Sequence, residues 1–109
     1  MSVDVSSIIL HGPRNITVYS RSTVSFHCTS DGLSDIYWKY SIAAGHCVYV
    51  FGHRGRNEKQ FDERFVKTVN GSTSILIIRD VQTSDAGRYS CRENKSDSRQ
   101  WPARLTVIG

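Results

Sequence analysis

The segment Asp85-Ala-Gly-Arg-Tyr-Ser-Cys91 decides how the rest of the chain is interpreted. From Gly87 onward its side chains alternate with a period of two residues, which predicts a short β-strand. Cys91 is one of three cysteines in a chain of 109 residues. Two of these cysteines can therefore form a disulfide, and the third is left over.

Similar short alternating segments recur along the chain between turn residues, and no convincing helical stretch is present. Seven such strands predict an all-β, two-sheet sandwich. Because there is no internal repeat, low-complexity run or linker, we expect residues 1–109 to form a single domain, excised from a longer protein. The predicted strands are Ile16–Tyr19, Thr23–Cys28, Asp35–Tyr40, Cys47–Phe51, Ser74–Ile78, Gly87–Arg92 and Arg104–Ile108.

The same alternation assigns side chains to the two faces of each strand. It leaves Ile75 and Ile77 on the outer side of their strand, as a minor apolar patch. The residues predicted to face inward are Val24, Phe26, Cys28, Ile36, Trp38, Tyr40, Leu76, Ile78, Leu105 and Val107.

Composition narrows the function classes. No apolar run is long enough to span a membrane, and the first residues lack the basic and apolar regions of a signal peptide. The net charge of +4 comes from ten scattered arginines and four lysines against ten acidic residues. No nucleic-acid-binding motif or basic helix accompanies that charge, so an acidic partner such as a sulfated or sialylated glycan is a better match than nucleic acid.

Three N-glycosylation sequons begin at Asn15, Asn70 and Asn94. Such triplets arise often by chance, but three of them together with a long-range disulfide favour an extracellular setting. We therefore expect a cell-surface or secreted glycoprotein.

Cys28, Trp38 and Cys91 occur in that order, and the last of them ends the Asp85–Cys91 segment. In this the chain resembles an immunoglobulin domain of the variable type, the V-set. The resemblance implies a disulfide between Cys28 and Cys91 across the two sheets, with Trp38 packed against it. It also implies that Tyr89 forms the tyrosine corner, its hydroxyl bonded to backbone at the preceding turn.

Two further matches distinguish the variable from the constant type. Arg64 stands where such domains carry the arginine that pairs with the aspartate of the same segment, here Asp85. About 27 residues separate Trp38 from Phe65, which leaves room for two additional strands. Pro13 also fits the kink at which the first strand of variable domains divides. The resemblance therefore implies an immunoglobulin V-type sandwich with Greek-key connections.

Two departures show which kind of variable domain this is. Antigen receptors end in a Phe-Gly-x-Gly pattern, whereas this chain has Trp101-Pro102 near that position, which favours a germline-encoded immune-type or adhesion receptor. The chain is also similar to polymeric-immunoglobulin-receptor-like domains, which carry a second disulfide next to the strand-C tryptophan. Cys47 matches one half of that pair, but Lys39 occupies the position of the other half.

One outward sheet face is the predicted interface, because aromatic residues rimmed by Arg and Lys are typical of interfaces. If Val48 and Val50 point into the core, their neighbours point outward; a slip of one residue would reverse this. Arg88 and Ser90 lie on the same face. The predicted interface residues are Tyr37, Lys39, Cys47, Tyr49, Phe51 and Arg92.

The leading functional hypothesis is a non-catalytic recognition domain that binds a protein ligand, or a second copy of itself, through this face. The alternative is an adhesion or glycan-binding domain that acts through Arg54, Arg56 and Arg92. Arg92 stands at the offset from the motif tyrosine that sialic-acid-binding domains use. A spacer domain without a ligand is a third reading.

Catalysis and metal binding find little support. The histidines fall on different strands or loops, and no nucleophile, base and acid follow in a catalytic order. His46, Cys47 and His53 lack a fourth ligand and the usual zinc spacing. We therefore expect no enzyme activity, cofactor, metal or membrane contact from this domain.

Overall fold

The computed structural model describes residues 9–31, 35–41, 47–51, 63–93 and 99–109, with backbone alone at 10, 47–49 and 51. These residues form strands and one short 3₁₀ turn, Thr83–Asp85. The strands are β1 (Ile9–His11), β2 (Ile16–Tyr19), β3 (Val24–Ser30), β4 (Ile36–Ser41), β5 (Cys47–Phe51), β6 (Phe65–Asn70), β7 (Thr73–Ile78), β8 (Gly87–Glu93) and β9 (Trp101–Ile108).

Two sheets form the sandwich. One has the strand order β1-β3-β7-β6 and the other the order β2-β9-β8-β4-β5. Only β2 and β9 pair in parallel among these described strands. The chain changes sheets between β1 and β2, at the segment that contains Pro13, as the sequence predicted. The predicted V-type sandwich is therefore confirmed.

All seven predicted strands are present, with ends shifted by up to three residues, but β1 and β6 were not predicted as strands. β6 escapes the alternation because Lys67 occupies an inward position, in register with Leu76 of β7. Its Nζ donates a hydrogen bond to the Ile36 carbonyl in the opposite sheet at 2.9 Å. Burial lowers the pKa of Lys67, and the nearby Asp35 carboxylate partly opposes that shift.

The inner faces of both sheets meet in one apolar core. The residues named from the sequence as core, Trp38, Tyr89 and Leu76, are all fully buried. The Trp38 indole N–H donates to Ser74 Oγ in the other sheet at 3.0 Å, so its polar atom is satisfied inside the core. Most of the inward assignments from alternation are confirmed, and Val107 is partly buried against the core.

The disulfide joins β3 to β8 and thus the two sheets. Cys28 and Cys91 are bonded across 63 positions of sequence, and both are fully buried. Trp38 pairs in register with Cys91, which explains why the tryptophan and the disulfide belong to the same core. The pairing implied by the resemblance is confirmed.

The turn before β8 is held by two tyrosine hydroxyls. Tyr89 donates to the Asp85 carbonyl at 2.7 Å, and Tyr40 donates to the Ala86 carbonyl at 2.8 Å. The two rings pack with their centroids 4.9 Å apart. Burial, and then the Asp85 carboxylate, raise the pKa of Tyr40. The predicted tyrosine corner at Tyr89 is present, and Tyr40 makes a similar hydrogen bond to the next carbonyl of the same turn.

Gly87 is required at this turn for two reasons. Its φ of +147° is one that residues with a side chain rarely adopt, and an added Cβ would lie 2.8 Å from Cε1 of Tyr40. We expect Gly87→Ala to lower the free energy of unfolding by about 3 kcal/mol, from backbone strain and overpacking together. Urea denaturation followed by tryptophan fluorescence measures the change.

Gly71 provides a matched control for that variant. Its φ is +63°, in the β6–β7 turn, and an added Cβ would meet nothing within 4 Å. Gly71→Ala should therefore carry the backbone strain without the clash, at a cost of about 1 kcal/mol. Equal losses in the two variants would show that contact with Tyr40 contributes nothing.

Candidate functional site

The Arg64–Asp85 ion pair closes one end of the sandwich. Nη1 and Nη2 of Arg64 donate to the two carboxylate oxygens of Asp85 at 2.7 and 3.0 Å. Nη1 also donates to the Asp80 carbonyl at 2.8 Å. The Gln82 backbone N–H adds a bond to Asp85 Oδ2 at 2.8 Å. Because protein groups occupy both oxygens of this carboxylate, the predicted pair is confirmed as a structural element.

The outer face of the five-stranded sheet is the candidate recognition surface, and strand register arranges it in rows. Arg104 of β9 lies opposite Arg88 of β8, which in turn lies opposite Ser41 of β4. The outer face consists of these three residues and of the other side chains that point to the same side of the five-stranded sheet. Its described members on these three strands are Tyr37, Lys39, Ser41, Arg88, Ser90, Arg92, Pro102, Arg104, Thr106 and Ile108.

The prediction that Tyr37 is an exposed contact residue is wrong. Alternation correctly places it opposite the inward-facing Trp38, but only 7% of its surface is exposed. Tyr37 lies on β4, an interior strand of the sheet between β5 and β8. Ser90, small and central on β8, is similarly buried at 2% exposure.

Lys39 and Arg92 keep part of their surface accessible, and both are half-buried. Lys39 pairs in register with Ser90, and Arg92 pairs with Tyr37. The Arg92 Nε donates to the Glu93 carbonyl at 3.2 Å, so part of this guanidinium is already committed to the protein. Both predicted residues therefore lie on the outer face, as flanking cations.

For Cys47, Tyr49 and Phe51 the structure describes the backbone. They belong to β5, in register with Ser41, Lys39 and Trp38 of β4, with an irregularity between the last two. The structure does not describe these three side chains, so their outward orientation stays a prediction. Val50 is fully buried, as expected.

The most accessible cations of the outer face are Arg88 and Arg104. Both are exposed and lie directly opposite each other on adjacent strands, an arrangement of like charges that costs stability. Neither forms an ion pair with any residue that the structure describes. Alternation predicts Arg88 on this face, and it also implies Arg104 there, because Leu105 faces inward and its neighbour must therefore face outward.

No carboxylate lies among the described outer-face residues of β2, β4, β8 and β9. Arg88 and Arg104, on neighbouring strands, thus stand without a countercharge among the described residues of their own face. Such a surface raises the local concentration of anionic ligands. This is the property that distinguishes the outer face chemically.

Two of the three sequons lie in described parts of the chain. Asn15 is exposed on the crossover between β1 and β2, and its Oδ1 accepts a hydrogen bond from the Arg104 backbone N–H at 2.9 Å. Asn70 is exposed at the β6–β7 turn, as is Gly71, and Ser72 stands beside them. Both positions are sterically open to modification. The predicted sites at Asn94, Arg54 and Arg56 lie outside the described residues.

Other regions offer weaker candidates. A cleft of about 570 Å³ beside the β1–β2 crossover is lined by polar groups that include His11, Arg14 and His27. Across the described ranges, no three His, Cys, Asp or Glu side chains are grouped to hold a metal ion. Ile75 and Ile77 are half-buried rather than forming an exposed patch. Within the same ranges, no helix is long and apolar enough to cross a membrane.

Comparison with known proteins agrees with the geometry. The model of the immunoglobulin V-set domain family matches residues 11–108. Immunoglobulin superfamily member 10 of Rattus norvegicus is 27% identical over 89 residues, which cover 82% of this chain and 3% of that protein. The Homo sapiens protein of that name is 25% identical over the same coverage. The chain thus spans about 3% of the length of these curated relatives. With a family match over nearly its whole length, the chain belongs to the immunoglobulin V-set family.

Proposed function

We propose that this chain is an extracellular, non-catalytic recognition domain that binds an acidic ligand through the outer face of its five-stranded sheet. Immunoglobulin V-set domains are typically non-catalytic and usually extracellular, which supports the general class. The observation that carries the specific proposal is the exposed cross-strand pair Arg88 and Arg104. Nothing in the fold requires two cations at this position.

The electrostatic argument has two parts. Two arginines opposite each other destabilise the free domain slightly, because like charges on neighbouring strands repel. A bound anion removes that repulsion and gains charge-assisted hydrogen bonds to planar guanidinium groups. Lys39 and Arg92 on the neighbouring rows add to the same field. The electrostatic free energy of the outer face is therefore lower with an acidic ligand bound than without one.

The same charges argue against the homodimer that the sequence also suggested. A two-fold symmetric interface brings the same surface patch of both copies together. If the two-fold axis passed near Arg88 and Arg104, these arginines of one copy would approach those of the other. An acidic partner satisfies these charges, whereas a second copy repeats them.

Multivalent cell binding tests the proposal. Biotinylated domain assembled on streptavidin is applied to cultured adherent cells at physiological salt, and bound fluorescence is measured. Charge reversal in Arg88→Glu/Arg104→Glu should reduce binding by about tenfold or more, because attraction becomes repulsion. Circular dichroism and a thermal melt establish that the variant is folded.

The matched control is Arg14→Glu/Arg79→Glu, which changes the net charge equally at two exposed arginines on the crossover and after β7. Its binding should stay within about twofold of wild type. Equal losses in both variants would mean that total charge alone governs binding. Unchanged binding by the outer-face variant would refute the proposed surface.

A further inference from the structure

Resting on the proposed function, we infer that the ligand of the outer face is a sulfated polysaccharide of the glycosaminoglycan class, with Arg88 and Arg104 as its principal contacts. The inference names the ligand chemistry and two binding residues. It follows from the spacing of the cations and from the absence of large exposed apolar side chains among the described residues directly beside them.

Spacing indicates several anionic groups rather than one. Adjacent strands are about 4.8 Å apart, so Arg88 and Arg104 can both reach one sulfate or two neighbouring ones. Lys39 lies one strand and two residues away from Arg88, at about 8 Å between Cα atoms. Arg92 lies four residues along β8 from Arg88, at about 14 Å. A linear chain with repeated sulfates can contact cations spread over this length.

The surface beside the arginine pair is unlike a typical protein-binding surface. Protein interfaces are centred on large, well-packed anchors such as aromatic side chains. Here the aromatic candidate Tyr37 is 7% exposed, and Ser90, between the cationic rows, is 2% exposed. Beside the pair, the described outer face offers Lys39, Ser41, Pro102 and Thr106, which are a cation and small side chains that suit a hydrophilic polyanion.

The large exposed apolar residues of this face lie at its far end, away from the arginine pair. Tyr19 and Ile108 are 72% and 49% exposed and pair with each other at the end of β2 and β9. Ile108 is four residues from Arg104 along β9, at about 14 Å.

A single-stranded nucleic acid would need aromatic side chains for its bases to stack on beside the cations. The described surface around Arg88 and Arg104 has no such exposed ring.

Sulfate is the anionic group that best fits the pair. Its oxygens can accept several hydrogen bonds at once, and arginine presents planar, bidentate donors that remain charged at all physiological pH values. Exposed guanidinium groups retain much of their hydration, so each contact is individually weak and screened by salt. Useful affinity therefore requires the repeated contacts that a sulfated chain provides.

Direct binding of a heparin-derived decasaccharide, measured by surface plasmon resonance at roughly physiological salt, tests the inference. Wild-type domain should bind, and Arg88→Ala/Arg104→Ala should weaken binding by about tenfold or more. Arg14→Ala/Arg79→Ala, with the same loss of charge, should weaken it by less than about threefold. Chemically desulfated decasaccharide, which retains its carboxylates, should not bind measurably.

Three outcomes overturn the inference. The first is that wild type does not bind the sulfated decasaccharide. The second is that both double variants lose affinity equally, which would indicate non-specific charge attraction. The third is that a DNA oligonucleotide of equal charge competes as well as the decasaccharide does. Thermal melts of both variants verify that any loss is not unfolding.

The cell assay distinguishes a failure of this inference from a failure of the proposed function on which it rests. Cells treated with heparinases and chondroitinase should lose staining by wild-type domain. If staining persists after that treatment but is still abolished by Arg88→Glu/Arg104→Glu, the ligand is acidic but is not a sulfated polysaccharide. If charge reversal on the outer face leaves staining unchanged, the proposed function itself fails.

Discussion

Replacing Cys28 and Cys91 together by alanine is expected to lower the free energy of unfolding by about 4 kcal/mol. The bond closes a loop across 63 positions, so breaking it frees a long segment of the unfolded chain. It also joins β3 of one sheet to β8 of the other. Domains of this size have about 5–15 kcal/mol of stability in all. The variant should therefore melt tens of degrees lower or fail to fold at body temperature.

Equilibrium unfolding in urea, followed by tryptophan fluorescence, measures this effect. All proteins in the comparison should carry Cys47→Ser, so that the third cysteine cannot exchange with the pair. The parent with Cys47→Ser alone is the control. A loss below about 1 kcal/mol would mean that packing around Trp38 holds the sheets together without the bond.

Arg64→Ala is expected to cost about 3 kcal/mol, although Arg64 itself is partly exposed. The cost arises at Asp85, whose side chain is 2% exposed and would keep its charge without its bidentate partner. The Asp80 and Arg79 carbonyls would lose the same donor. Removing one partner of a buried pair leaves the other uncompensated, which is far more damaging than losing a surface ion pair.

A double-mutant cycle with Asp85→Asn tests that reasoning. If the buried charge is the cause, Arg64→Ala should cost much less in the Asp85→Asn background than in wild type. Arg64→Lys is a matched control, because lysine keeps the charge but cannot donate to both carboxylate oxygens in parallel. Its expected stability lies between those of wild type and Arg64→Ala. A loss under about 0.5 kcal/mol for Arg64→Ala would contradict the argument.

Much of the fold could be predicted because its signals are local in sequence or depend on a few distinctive residues. Period-two alternation located seven strands and assigned most of their inner faces correctly. The resemblance to V-set domains, carried by Cys28, Trp38 and the segment ending at Cys91, then implied how the two sheets are joined. Arg64 and Asp85 are 21 positions apart, and the pair could be predicted only through the resemblance to V-set domains.

The strands that were missed have a common cause. Alternation detects a strand only when its inner face is apolar over several residues. β1 is three residues long, and its pairing with β3 is irregular. In β6 an inward position is filled by Lys67, whose long stem crosses the core edge so that its amine reaches the Ile36 carbonyl. A hydrogen bond between two sheets cannot be predicted from the hydrophobic pattern of one segment.

The candidate site was only partly predictable for a related reason. Alternation states which side of a strand a residue occupies, but not how much of it neighbouring strands cover. Tyr37 and Ser90 were placed on the correct side and are nonetheless buried, at 7% and 2% exposure. Arg88 and Arg104 are on the same side and are exposed. Their opposition depends on the register of β8 with β9, which no local pattern contains.

The amino-acid sequence by itself determined the class of fold and the faces of most strands, because these follow from side-chain periodicity. The disulfide and the tyrosine corner were implied by the resemblance to V-set domains, which a few spaced residues carry. Tertiary structure alone decided which outward residues reach solvent and which cations become neighbours. Exposure and cross-strand pairing depend on the order and register of strands that are distant in sequence. In this protein, the register of β8 with β9 places Arg88 opposite Arg104, and this pair of like charges is the chemical feature of the outer face.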